Sequence, residues 1–395
     1  MLPLDARVRW SGRWSRAGLF KVAGLAEFAS ARFPLERMVL DMRATLGADA
    51  LLHLPWAGFV TGPETPCDKE TAQVALLDNQ DILRPGDVVE LRPGSTKVSI
   101  RYRRGGNGNV LFATERCNSY CLMCSQPPRN VDDGWRVQQL LDLVDLVDKE
   151  EPSLAVSGGE PTLLGDGLVR LVEHCASTLP DTHVHILSNG RLLEDRRYAQ
   201  SFRDRHPSLS WGVPLYGDHY GLHDYVVQRP GAFAQTVRGL YALQEAGQKI
   251  EVRVVLVKPT VERLPDIARY LYRNLPFVEH VALMGTEPVG FAKAHRDALW
   301  VDPMDAGPPL LDAVGFLARR GMRVSLYNLP LCTLPEPLRP FAQRSISDWK
   351  QHYLPACDGC VLKSQCAGFF GWVTPEWTSR SIVPVTLEEG ECARH

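Results

Sequence analysis

The sequence predicts an α/β protein built on a parallel sheet, and three observations carry that prediction. Short apolar segments fall at 110–114, 154–157, 183–188, 209–215, 250–257 and 278–284. Between them apolar residues recur at helical spacing. Val137, Leu140, Leu141, Val144 and Val147 form one such stripe, and Phe233, Val237, Leu240 and Tyr241 form another, ended by Gly247. The chemistry-bearing motifs follow directly on strand segments, where parallel sheets hold their ligands. Six strand–helix units imply a sheet buried on both faces.

A chain of 395 residues suggests two or three domains, drawn here at 1–108, 109–310 and 311–395. The first reads as an α+β domain without catalytic motifs. Ala23 to Thr45 is weakly helical, Arg84-Pro85-Gly86-Asp87 is a turn, and Val88–Leu91 and Val98–Tyr102 read as strands. Gly105-Gly106-Asn107-Gly108 is a linker into the next domain. This domain is either a recognition module for a peptide or partner protein, or a cap over the open side of the sheet.

Composition excludes several classes. With 45% hydrophobic and 23% charged residues and a net charge of −2, the chain is an ordinary globular sequence. No Lys/Arg-rich run argues for nucleic acid, and no apolar run reaches membrane-spanning length. The opening Met1–Arg7 lacks the layout of an export signal. Ten cysteines then point to metal ligation in a reducing cytoplasm rather than to disulfides.

The chemistry centres on Cys117-Asn118-Ser119-Tyr120-Cys121-Leu122-Met123-Cys124, directly after the strand Val110–Thr114. Three thiolates in one C-x3-C-x2-C loop can each hold one iron of a [4Fe–4S] cube. The fourth iron is then open to a ligand carrying an amine and a carboxylate. Zinc is the alternative, but structural zinc wants four ligands, commonly in paired C-x2-C knuckles.

C-x3-C-x2-C after a first strand resembles the signature of the radical S-adenosylmethionine (SAM) superfamily. Two further motifs carry the resemblance. Gly158-Gly159-Glu160-Pro161 follows the strand Leu154–Ser157, and Ser188-Asn189-Gly190 follows Val184–Leu187. The resemblance implies a partial (β/α)6 TIM barrel. It implies that Cys117, Cys121 and Cys124 hold the cluster and that the Gly158–Pro161 turn, through Glu160, takes the SAM ammonium. Ser188 and Asn189 lie near the ribose. Met123 stands where the family often packs an aromatic residue on adenine, and a methionine can still meet a ring edge.

Other strand-end residues carry two readings each. Arg253 is a charge inside the strand Val252–Val257 and needs a partner, either the SAM carboxylate or a barrel carboxylate. Glu287 lines the substrate cavity or is a loop carboxylate. Tyr216 and His223-Asp224 match positions seen in peptide-acting relatives, but a histidine beside such neighbours is more often structural.

The C-terminal segment carries a second thiol set, Cys332 followed by Cys357-x2-Cys360-x5-Cys366. Four thiolates saturate a cube or hold zinc. The run resembles part of the SPASM/twitch extensions, implying one auxiliary [4Fe–4S] cluster with zinc as the rival, and leaving Cys392 spare. Cys67 and Cys175 read as ordinary thiols.

A narrower resemblance rests on Cys117 to Pro128, Ser345 to Trp349 and Ala367 to Gly371, and covers most of the chain. These stretches resemble His-Xaa-Ser-system radical SAM maturases of the HxsC type. That implies reductive SAM cleavage to a 5′-deoxyadenosyl radical and modification of a ribosomally made precursor bearing His-Xaa-Ser repeats. It also implies a sister maturase and a flavodoxin or ferredoxin as electron donor. Two rivals stand beside it. One is a small-molecule radical SAM enzyme of the molybdenum-cofactor type, whose double-glycine end is not matched by Cys392-Ala393-Arg394-His395. The other is a non-enzymatic iron–sulfur or zinc scaffold, which would have no use for a Gly-Gly-Glu-Pro amine site.

Overall fold

The computed structural model describes residues 4–11, 14, 16–43, 51–64, 71–78, 80–344 and 351–386. Thr45, Cys67, the 345–349 stretch and Cys392 lie outside these residues.

The first part is a closed barrel. Its strands are β1 (Asp5–Ser11), β2 (Gly18–Ala23), β3 (Met38–Asp41), β4 (Gly58–Thr61), β5 (Gln73–Leu76), β6 (Val88–Leu91) and β7 (Lys97–Tyr102). They run in the order β1-β5-β4-β3-β2-β6-β7, and β7 returns to pair antiparallel with β1. Closure leaves no open edge. Inward residues such as Val8, Val22, Val39, Val60, Val74, Val89 and Ile100 fill the interior. The expected α+β domain is therefore corrected to a β barrel. Within the described part of the 23–45 stretch only α1 (Leu25–Ser30) is α-helical, with a 3-10 turn at Leu35–Arg37. Met38–Asp41 is buried at every position and takes strand pairing on both sides, which overrides a weak helical propensity.

The second part is a parallel sheet of β8 (Val110–Phe112), β9 (Ser153–Ser157), β10 (His183–Leu187), β11 (Leu209–Pro214), β12 (Lys249–Leu256), β13 (His280–Gly285) and β14 (Val324–Tyr327). The strands follow chain order from β8 to β14 without reversal. Right-handed crossovers then all fall on one face, the singly wound arrangement of β/α barrels. The covering helices include α2 (Arg136–Val144), α3 (Asp166–Thr178), α4 (Arg196–Gln200), α5 (Tyr220–Val227), α6 (Ala232–Glu245), α7 (Lys258–Glu262) and α8 (Leu264–Asn274). Three more, α9 (Phe291–Ala294), α10 (Arg296–Leu299) and α11 (Gly307–Ala318), follow β13. Gly247 ends α6 at φ 72°, a left-handed turn that glycine adopts without strain.

Two expectations change here. The sheet has seven strands rather than six, because Val324–Tyr327 pairs parallel with β13. The sheet is also not apolar on both faces. Val184, Ile186, Val252 and Val254 are buried under helices, while the alternate residues His183, His185, Glu251 and Arg253 are half-buried on the other face. The open face carries a polar ladder. His183 Nε2 and His185 Nδ1 lie 2.8 and 2.7 Å from Ser210 Oγ. His280 lies 2.7 Å from Glu251 Oε2 and 2.9 Å from Ser325 Oγ.

A buried lysine joins the two parts. Lys21, on β2, donates to the Leu146 carbonyl at 2.8 Å and pairs with Asp148 at 3.0 Å. Burial pushes its ammonium down to about 8 against the pull of Asp148. Arg104 chelates the same carboxylate at 2.7 and 2.8 Å.

Candidate functional site

The cysteine loop leaves β8 at its C-terminal end and is tied down on several sides. Thr114 and the Glu115 amide donate to Asp133, at 2.8 and 2.7 Å. Burial raises the Asp133 carboxyl, but these bonds and Arg116 outweigh it and hold it below the usual range. The amides of Tyr120 and Leu122 bond the carbonyls of Val227 and Val226 at the end of α5, and Phe291 N–H bonds the Cys124 carbonyl at 2.9 Å. Arg191, only 7% exposed, reaches under the loop. It donates to the Asn118 carbonyl, to Ser119 Oγ at 3.0 Å and to Gln235 at 2.8 Å.

The three thiols are close enough to repel one another as thiolates. Burial, then the Glu160 charge and the neighbouring thiols, push Cys117 up to about 11. Burial and the other two thiols push Cys121 up to about 12, and Cys124 is raised by burial. Three such thiols ionise together when they face a cationic metal group. The donor set therefore fits a metal cluster. Among the described residues, no group of three or more His, Cys, Asp or Glu side chains is arranged to hold a metal ion as it stands.

The Gly-Gly-Glu-Pro turn packs directly on this loop. Gly159 N–H bonds the Thr114 carbonyl at 2.7 Å and Glu160 N–H bonds Arg116 at 2.8 Å. A Cβ on Gly159 would lie 2.1 Å from the Arg116 carbonyl oxygen, and one on Gly158, at φ 150°, 2.5 Å from that of Thr114. Gly159→Ala is therefore expected to push the loop outward. We expect a loss of roughly 1–3 kcal/mol in stability and less iron per chain, measured by denaturant unfolding and iron assay.

Glu160 is 1% exposed. Its Oε1 accepts from Thr162 N–H, Thr162 Oγ1 and Ser188 Oγ at 3.0, 2.6 and 2.7 Å. Its Oε2 accepts from the Asn189 amide at 2.7 Å. Burial raises its pKa against these four bonds. Pro161 opens the 3-10 turn Pro161–Leu164 behind it. Asn189 Nδ2 bonds Asn118 at 2.6 Å and lies 4.0 Å from Cys117 Sγ. The ends of β8, β9 and β10 thus bring Cys117, Gly158, Gly159, Glu160, Ser188 and Asn189 together.

The other candidates fall elsewhere. Arg253 Nε stands 3.3 Å from the barrel carboxylate Glu251 Oε1 but makes no hydrogen bond there. Burial raises Glu251, but the His280 bond and the Arg253 charge outweigh it and keep the carboxyl low. Met123 is 8% exposed, in an apolar cluster with Tyr216, Val226 and Val257. Glu287 is half-buried in the loop after β13. Asp224 caps α6, accepting from the Gly231 and Phe233 amides at 2.6 and 2.7 Å.

His223 is structural. It is 1% exposed and its Nδ1 accepts the Tyr216 amide at 3.2 Å. Burial pushes it down to about 4. The unfolded chain, near the ordinary 6.5, therefore takes up a proton first. Stability is full above pH 6.5 and is lost as the pH falls toward 4, by on the order of 3 kcal/mol for so buried a group. Urea midpoints should fall across that window. A His223→Gln variant should fall less steeply, with His185, also pushed down to about 4, supplying part of the remainder.

The four C-terminal thiols meet around one small cavity, lined also by Tyr353, Leu362 and Phe369. Cys366 Sγ accepts the Leu331 and Gly368 amides, each at 3.4 Å, and Cys360 Sγ accepts Val385 N–H at 3.4 Å. Such amide–sulfur bonds stabilise thiolates on iron or on zinc alike. Cys175 is fully buried in the core under the sheet.

Sequence reasoning missed Asp133, Arg191 and Gly290. A Cβ on Gly290 would lie 2.3 Å from the Cys124 carbonyl oxygen. The position of Arg191, just past Ser188-Asn189-Gly190, was the one local signal.

Residues 111–289 match the family model described as the Radical SAM superfamily. Fe-coproporphyrin III synthase of Methanosarcina barkeri (strain Fusaro / DSM 804) is 30% identical over 160 residues, covering 39% of this chain and 38% of that protein. The structure of Streptococcus suis SuiB bound to S-adenosylmethionine is 15% identical with a TM-score of 0.44, covering 55% of this chain and 49% of that one. Native anSMEcpe with bound AdoMet and a peptide is 17% identical with a TM-score of 0.45, covering 71% of this chain and 78% of that one. The chain therefore spans about two fifths of the curated relative and about half of SuiB. The thiol loop and the Gly-Gly-Glu-Pro turn, joined at the strand ends, both lie within residues 111–289, the part of the chain that is similar to the Radical SAM superfamily.

Proposed function

We propose that the protein is a radical SAM maturase that modifies a ribosomally made peptide of the His-Xaa-Ser type. One observation carries the enzyme reading: the Cys117, Cys121 and Cys124 loop is bonded to the turn that bears Glu160. The family implies a [4Fe–4S] cluster and SAM. Bound together, and given one electron, these would supply the radical chemistry that activates an unactivated C–H bond.

The chain's own residues do the rest. The three cysteines hold three irons, and Arg191 with Asp133 keeps their loop in register. Glu160 Oε2 accepts one amide while Oε1 accepts three donors, which leaves Oε2 acceptor capacity for the SAM ammonium. Ser188 and Asn189 border the ribose, Met123 the adenine edge, and Arg253 the SAM carboxylate. The sheet's open polar face lines the substrate chamber of a partial (β/α)6-type barrel. The segment beyond β14 carries one auxiliary [4Fe–4S] cluster on Cys332, Cys357, Cys360 and Cys366, with zinc as the rival. The N-terminal barrel recognises the precursor. A flavodoxin or ferredoxin supplies the electron in the cytoplasm, beside a sister maturase. Among the described residues no helix is long and apolar enough to cross a membrane.

A second reading is a small-molecule enzyme. It is favoured by the 30% identity to a protein named for a coproporphyrin product. The test supplies the reconstituted protein with SAM and dithionite and follows 5′-deoxyadenosine. We expect release, accelerated by a His-Xaa-Ser precursor that changes in mass. Acceleration by an iron porphyrin and not by the peptide would favour the second reading, and no release at all would leave only a scaffold.

A further inference from the structure

β8 is an edge strand, and its free side faces a groove. The ladder to β9 uses Asn109 C=O and Ala113 N–H, which bond Ala155 and Ser157 at 3.0 and 2.7 Å. Strand alternation then turns the N–H and C=O of Val110 and Phe112 outward. Among the described residues no strand pairs with that side. The groove beside it has a volume of about 520 Å³. Its far wall is the β7 segment Ile100–Arg103, its floor includes Leu140 and Leu143 of α2, and Glu115 and Gln126 stand at one end. Those two residues flank the Cys117–Cys124 loop, so a chain lying in the groove runs on to the thiols.

Charge says what enters. Arg101, Arg103 and Arg136 line the groove; Arg101 is taken up by Glu90 at 2.7 Å and Arg136 by Glu115 at 3.1 Å, which leaves Arg103 the least satisfied of the three. Arg103 is 9% exposed, yet its Nε and Nη1 have no hydrogen-bond partner. Its remaining nitrogen, Nη2, bonds the Ile82 carbonyl at 2.6 Å and stands 3.7 Å from Asp87. Unpaired buried donors are costly and mark a place where an acceptor is wanted.

We propose that this groove binds an extended, acidic segment of the peptide substrate, added as a strand to the free edge of β8 with a carboxylate toward Arg103. Main-chain bonds to Val110 and Phe112 supply the register, and Arg103 supplies selectivity. The inference rests on the peptide reading above and adds to it where the substrate docks and what charge it carries there.

The test uses the full-length reconstituted protein and fluorescein-labelled twelve-residue probes alternating Val or Thr with Asp or Glu. Matched probes carry Asn and Gln instead, and two more carry backbone N-methyl groups in either alternate register. By fluorescence anisotropy we expect the acidic probe to bind about tenfold more tightly than the amide probe. One methylated register should abolish binding and the other should spare it. Arg103→Gln should reduce the acidic probe to the level of the amide probe while uncoupled SAM cleavage continues. Equal binding of acidic and amide probes, indifference to both methylated registers, or no binding at all would overturn the groove. Because methylation changes only the probe, that arm stands even where Arg103→Gln fails to fold. Absent SAM cleavage in the parent would overturn the enzyme reading alone, leaving the anisotropy result to decide the groove.

Discussion

Anaerobic reconstitution of the parent chain should load about eight irons, and replacing Cys117, Cys121 and Cys124 together by alanine should leave about four. The two thiol sets lie on separate elements, one loop after β8 and one segment after β14, so losing one cube should spare the other. SAM cleavage should disappear in the variant, because a cube bound by four cysteines has no open iron. The buried thiols of the first loop resist ionisation when nothing cationic faces them. The apo loop should accordingly react slowly with thiol reagents at neutral pH, and fastest at Cys124, the thiol least hemmed in by like charge. About four irons falling to none, with zinc retained, would keep the radical site and turn the C-terminal set into a zinc module.

Glu160→Ala is expected to damage both the sheet and the cofactor site. The carboxylate satisfies Thr162 N–H, Ser188 Oγ and Asn189 N–H, which knit the end of β9 to the end of β10. Removing it strands those donors in a nearly waterless place, at about 1–3 kcal/mol each. A fall of several kcal/mol in denaturant unfolding is the expected stability result. SAM affinity by equilibrium dialysis should fall roughly 10- to 100-fold, the usual effect of losing a group that orients a ligand shell. Glu160→Gln separates the two effects. It keeps one acceptor oxygen and most of the stability but loses the charge that would hold an ammonium. Parent-like SAM affinity in Glu160→Gln would remove Glu160 from SAM binding and leave it a strand-end clasp.

The His223 expectation and the Glu160 expectation differ in how visible their residues were beforehand. The Glu160 motif is contiguous, Gly-Gly-Glu-Pro after an apolar run, because one turn must approach the cysteine loop with two residues lacking side chains. His223 offered two readings in sequence. Only its depth and its bond to the Tyr216 amide chose the structural one.

What the sequence by itself determined is what chemistry forces into short windows. Three thiols at C-x3-C-x2-C spacing can share a cube from one loop, a strand face under helices is apolar, and ligand turns in parallel sheets follow strands. Hence the α/β class, the six main strands and the strand-end motifs were all legible. What only the tertiary structure decided depends on partners far apart in the chain. The N-terminal strands close into a barrel because β1 finds β7 and β5. β14 extends the sheet because Val324 meets Val281 across 43 residues. Arg191 reaches Asn118 across 73 residues, and Asp133 clasps the start of the cysteine loop from just before α2. One face of the sheet is polar because its far side has no helix over it. Burial and long-range pairing are properties of the assembled surface, and no local pattern of residues encodes which surface a side chain will meet.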